Sequence, residues 1–148
     1  MRPKICHSCF KFWRNFQKKD EFCWVAVTKS TPPDYYGNVY KVLAPIGKQF
    51  EKTVDPFNER AFLEEYKRLL KSLDREEVRK DLLSFSKHGK PVVILNWEDL
   101  TRWSEGRITF AWMNKLTIEE ADKFDLEHLM AEEERKKDLI YGESFLEL

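Results

Sequence analysis

The sequence predicts an α/β domain with a mostly parallel sheet and helices on both faces, on three observations. Two runs, Phe22-Cys23-Trp24-Val25-Ala26-Val27 and Val92-Val93-Ile94-Leu95, are apolar throughout. A strand with one wet face alternates apolar and polar residues, so runs with no polar side belong to a sheet covered on both faces. Between them Phe62, Tyr66, Leu69 and Leu70 recur at helical spacing, and strands that alternate with helices form parallel sheets.

The elements follow in order. Lys4 to Cys9 reads as a short strand, and Phe22 to Thr28 as a stronger one. Lys29 to Pro45 reads as irregular, broken by Pro32-Pro33-Asp34 and Gly37-Asn38. Asp55-Pro56 offers an N-cap and a first helical residue for the stripe that contains Tyr66. Asp74 with Glu77 opens a second helix, lined by Val78, Leu82 and Phe85 and expected to end at Gly89. Pro91 to Trp97 is the interior strand. A loop from Glu98 to Gly106 leads to a helix over Arg107 to Lys115, and Thr117-Ile118-Glu119-Glu120 forms a capping box for one more. The run Glu132 to Lys137 reads as an exposed helical surface.

The chain has 148 residues, enough for one domain that buries roughly two-thirds of its unfolded surface. Five Trp and eleven Phe within a 42 % hydrophobic composition supply a bulky core and exclude a disordered chain. Net charge is zero, which removes any global attraction to nucleic acid. The ends differ, however. Residues 1–20 hold six basic groups against one acidic, and residues 117–148 hold eleven acidic against four basic. Such ends either seat against one another or remain two solvated faces.

The odd set Cys6, Cys9 and Cys23, without a signal-like apolar opening, argues against a secreted disulfide framework. The expected compartment is the cytoplasm, or the host cytoplasm if the gene is viral. No apolar run is long enough for a membrane span.

In open parallel sheets ligands bind beyond the carboxyl ends of the strands. This places Lys29–Tyr36 and Glu98–Arg107 at the expected pocket mouth, with Lys29, Ser30, Tyr35, Tyr36, Trp97, Glu98, Trp103 and Arg107 as candidate ligand contacts. Glu98 and Asp99 adjoin on an extended chain, so only one can face the pocket, and Glu98 is preferred.

The same segments carry a resemblance. Val25-Ala26-Val27-Thr28-Lys29-Ser30-Thr31-Pro32-Pro33, Tyr40-Lys41-Val42-Leu43-Ala44-Pro45, the helix with Tyr66, and Val92-Val93-Ile94-Leu95-Asn96-Trp97-Glu98-Asp99-Leu100 come in a telling order and spacing. Through them residues 4–115 resemble the domain-of-unknown-function family 488. The resemblance implies a Rossmann-like fold; residues 116–148 lie outside it and read as a C-terminal helical extension within one domain over residues 1–148. It also implies a Cys-His-Arg triplet opening a helix, where the helix dipole and basic neighbours would favour a thiolate. Here Ser104, Glu105 and Gly106 occupy those positions, and Ser30 stands near the family's basic position after the second strand. A serine needs a general base to become a nucleophile. Ser104 and Glu98 are therefore weak catalytic candidates, and a degenerate pocket rim is expected.

Two further patterns carry possible chemistry. Cys6-His7-Ser8-Cys9, with Cys23, supplies a zinc-like gap but no closed set of four ligands. Core thiols are expected, and no metal or other cofactor. Lys11, Trp13, Arg14, Lys18 and Lys19 mix aromatic and basic groups as single-strand binders do. The expectation is a non-catalytic interaction domain, with a protein partner or a small anionic or aromatic ligand and no membrane. The alternative is a nucleotide- or nucleic-acid-associated protein, or an enzyme, using the two loops.

Overall fold

The computed structural model describes residues 2–54, 56–97 and 105–146. Strands β1 (Ile5–Cys9), β2 (Cys23–Ala26), β3 (Asn38–Val39) and β4 (Val92–Asn96) pair in the order β1-β4-β2-β3, every pair parallel. Ile94 stands between His7 and Val25, so β4 is interior, as its wholly apolar character requires. Seven helices are described: α1 (Phe10–Asn15), α2 (Lys48–Val54), α3 (Glu59–Lys71), α4 (Arg75–Ser84), α5 (Glu105–Asn114), α6 (Ile118–Ala121) and α7 (Leu126–Leu146).

Alternation along the strands sends successive side chains into two cores. Ile5, Val25, Val92 and Ile94 pack with Phe50, Phe62, Tyr66, Leu82 and Phe110, contributed by α2 to α5. Cys6, Trp24, Val93 and Leu95 pack on the opposite face with Phe10 and Trp13 of α1 and Leu126 of α7. Tyr66 is fully buried, yet its hydroxyl is satisfied: it donates to Leu43 O at 2.7 Å and meets Thr109 Oγ1 at 3.0 Å.

Beyond α5, the capping box at Thr117 and Glu120 forms as expected and starts α6. A 3₁₀ turn over Asp122–Phe124 then leads past the outer edge of β1, where Asp125 pairs with His7 as an isolated parallel bridge. The turn thus covers an edge that would otherwise present unpaired backbone groups. The oppositely charged ends do meet. Arg2 makes a two-pronged pair with Glu133 of α7, at 2.8 and 3.2 Å, and a third contact with Glu21 at 2.9 Å. Its guanidinium also lies 4.8 Å over the Phe22 ring. Among the described residues no helix is long and apolar enough to cross a membrane.

Four expectations need correction. The Tyr66 helix is capped by Asn58, whose side chain accepts from Ala61 N, so Pro56 precedes the helix; Asp55 lies outside the described residues. Helix α4 ends at Ser84, before Gly89. His88 (φ 55°) and Gly89 (φ 71°) instead make a tight turn closed by Lys90 N donating to Lys87 O. Helix α5 includes Glu105 and Gly106, ahead of the start at Arg107 that its apolar pattern suggested. The stretch Lys29 to Pro45 contains β3 and a 3₁₀ turn at Lys41–Leu43, and α2 follows it. Elements of two or three residues, and a helix anchored by Phe50 and Thr53, are too short to show periodicity.

Candidate functional site

The connection after β1 enters α1 on one face of the sheet, whereas the connection after β4 enters α5 on the other. Neighbouring parallel strands whose connections part in this way leave a crevice beyond their carboxyl ends. A cleft of about 470 Å³ lies there, lined by His7, Ser8, Cys9, Asn96, Arg107, Asp122, Asp125, Glu127, His128 and Ala131. The path after β2 runs past Tyr35 on the α1 face to β3, and only then to Leu43 and α2 in the core with α5.

Three of the polar groups there are committed to structure. Asn96 Oδ1 accepts from Gly106 N at 3.1 Å, and Asn96 Nδ2 donates to Trp97 O at 2.6 Å. The end of β4 thereby takes up a backbone donor in the first turn of α5, where a bound anion would otherwise sit. A Cβ on Gly106 would meet Asn96 Oδ1 at 2.4 Å, so glycine makes this approach possible. Arg107 pairs with Asp122 at 2.8 Å. His7 is 3 % exposed, and its Nε2 lies 2.7 Å from Ala121 O. The carbonyl can only accept, so Nε2 carries the proton.

Ser8 is different. Its side chain is buried, and Oγ has no hydrogen-bond partner among the described residues. A buried hydroxyl left unpaired costs about 1–3 kcal/mol, which a ligand in the cleft would recover.

Burial pushes the His7 imidazole below its ordinary range. The bond to Ala121 and the negative charge of Asp125 and Asp122 act the other way, and Arg107 acts with burial. The unfolded chain therefore takes up a proton at His7 before the folded one does. Stability is complete above the unfolded pKa, about 6.5, and falls as pH drops below it. Melting temperatures should decline from about pH 6.5 to 5, before most carboxylates titrate, and His7→Gln should flatten that decline. An unchanged slope in the variant would mean that His7 is charged in the folded protein.

The residues expected at the pocket mouth separate into two places. Trp97 follows Asn96 and so points to the opposite face. It lies 5.0 Å from Phe10 and donates from Nε1 to Ser30 O at 3.1 Å. Tyr35 packs on Phe10 and Trp13, donates to Asn38 O at 2.6 Å, and has its phenol pKa raised by burial. Tyr36, 72 % exposed, lies against Trp13. These aromatics cap the α1 core, and Lys29 is exposed beside them, its carbonyl accepting from Lys41. Of the expected contacts, Arg107 is the one described in the β1–β4 cleft. Glu98, Asp99, Trp103 and Ser104 lie outside the described residues.

On the basic N-terminal segment, Lys11 and Lys18 are exposed and Arg14 pairs with Asp34 at 3.0 Å. Lys19 donates to Phe16 O and sits 5.2 Å over Trp13, itself 2 % exposed. Trp13 is core and offers no open face on which a base could stack. Burial pushes the Cys6 thiol up to about 12, too high for a nucleophile at neutral pH. Among the described residues no three His, Cys, Asp or Glu side chains are grouped to hold a metal ion.

Sequence reasoning missed the β1 end of the cleft. Its signal was present in His7 and Ser8, two polar residues within a strand otherwise suited to burial. They fall within the zinc-like Cys6–Cys9 spacing, which masks that signal. No family model, curated protein or solved structure matches the chain.

Proposed function

We propose that this chain is a non-catalytic binding domain whose ligand occupies the cleft between the ends of β1 and β4. The observation that carries the reading is Ser8 Oγ, unpartnered among the described residues and buried at a cleft where the sheet's connections diverge. The groups that chemistry would need are already engaged: Gly106 N by Asn96, Arg107 by Asp122, and His7 Nε2 by Ala121. Ser104-Glu105-Gly106, standing where the resembling family has Cys-His-Arg, fits the same picture of a site without a nucleophile. A small polar ligand suits the concave, mixed-charge lining better than an extended one.

The test is an amide chemical-shift map of the whole chain against a panel of cationic, anionic and uncharged fragments. Saturable shifts should gather at Ser8, Cys9, Gly106 and Asp125 to His128. Shifts confined to Lys29–Tyr36 and Trp97 would transfer the site to the aromatic cap and defeat the reading.

A further inference from the structure

A second cavity, of about 340 Å³, lies at the other end of the sheet, where Ile5 opens β1. Its apolar lining comes from Ile5, Leu83 of α4, Phe110 of α5, and Leu116 and Phe124 beyond α5. The rings of Phe110 and Phe124 stand 4.9 Å apart and form one wall. Water held against such a lining makes few hydrogen bonds, so an apolar group that displaces it is favoured.

The charge at this cavity has one sign. Its ionised lining residues, Lys4 and Arg79, are both basic. Arg79 is the one whose head group is fixed: Nη2 donates to Met113 O at 2.8 Å and to Asn114 Oδ1 at 3.0 Å. Asn114 lines the cavity and is itself tied to the wall, donating from Nδ2 to Phe110 O at 3.0 Å. Both acceptors of Arg79 are neutral, so its positive charge is not offset by them. Nε and Nη1 have no partner among the described residues. The last carbonyls of α5, which would repel an anion, are covered: Trp112 O accepts from Arg75 Nε at 2.8 Å, and Ala111 O from Leu116 N at 2.9 Å.

We infer that this cavity binds a small monocarboxylate with an apolar body, its head on Arg79 and its body against Phe110, Leu116 and Phe124. One positioned guanidinium offsets one negative charge through a charge-assisted hydrogen bond. A dianionic phosphate would need further donors, and a helix that ends at the wall supplies none. This site is separate from the β1–β4 cleft and does not depend on it.

Four probes titrated into the full chain near neutral pH test the inference. Hexanoate, hexanol and hexylammonium share a body and differ in the head, and acetate has the head alone. Hexanoate should saturably shift the amides of Ile5, Leu83, Asn114, Leu116 and Phe124. Hexanol should shift the same amides about tenfold more weakly, and hexylammonium and acetate should leave them in place. Arg79→Gln should lower hexanoate affinity to the level of hexanol, whose own binding shows that the variant is folded. Arg79→Lys should keep the preference for hexanoate. Equal binding of hexanoate and either other six-carbon probe to the unsubstituted chain would overturn the inference, whether or not Arg79→Gln folds. So would a preference for hexanoate that survives Arg79→Gln, or no shift at these amides with any probe. Hexanoate shifts confined to Ser8, Cys9 and Asp125 to His128 would overturn it too, while supporting a ligand in the β1–β4 cleft.

Discussion

Truncating Ile94 to alanine should cost about 2–5 kcal/mol of folding stability, and truncating its neighbour Leu95 should cost a similar amount. Both side chains are fully buried, but they enter different cores. Ile94 packs toward α5, and Leu95 toward α1 and α7. In a sheet with one wet face, adjacent strand residues would differ sharply, because one of the two would point to water. Equal costs are therefore the signature of a strand covered on both sides. Val39, on the two-residue edge strand β3 and 40 % exposed, supplies the contrast. Val39→Ala should change stability by only about 0.5 kcal/mol. Urea unfolding of the three variants measures this directly. A small cost at either Ile94 or Leu95 would remove one of the two helical layers.

The second large effect is expected at Asn96. Asn96→Leu should cost about 1–3 kcal/mol, because the leucine has similar bulk but leaves the buried Gly106 N–H without its acceptor. The loss is also local. Amide hydrogen exchange should quicken at Gly106 and through the first turn of α5, while the β4 amides that bond to β1 and β2 stay protected. Asn96→Asp keeps an acceptor next to the positive end of the helix and should recover much of the difference. If leucine and aspartate behave alike, the bond from Gly106 is not what anchors α5 to the end of β4.

The sheet was legible because its central strands violate the rule of alternation. Phe22 to Val27 and Val92 to Leu95 have no polar face, and no arrangement other than a doubly covered sheet buries all of them. The caps at Asp74 and Thr117 were equally legible, since a side chain and a backbone amide three residues apart suffice to make them. Asn58 was overlooked because Asp55-Pro56 offers the same chemistry three residues earlier. What periodicity cannot reveal is strand order. The cleft lies at the ends of β1 and β4, beside His7 and Asn96, and those strands are neighbours only because β4 inserts between β1 and β2. The turn that brings Asp122 and Asp125 to the edge of β1 is likewise a long-range event, joining residues more than a hundred positions apart. The charge imbalance between the ends did announce part of it, and Arg2 with Glu133 realises that contact.

The partner of Ser8 Oγ is the point on which a binding cleft stands or fails. A crystal structure of the full chain soaked with small polar fragments settles it. Density for a fragment should lie in the cleft within hydrogen-bond reach of Ser8 Oγ, with Asn96 still bound to Gly106 N. A protein side chain filling that position, or fragments found only beside Tyr36 and Trp97 with the cleft closed, would contradict a ligand seat between β1 and β4.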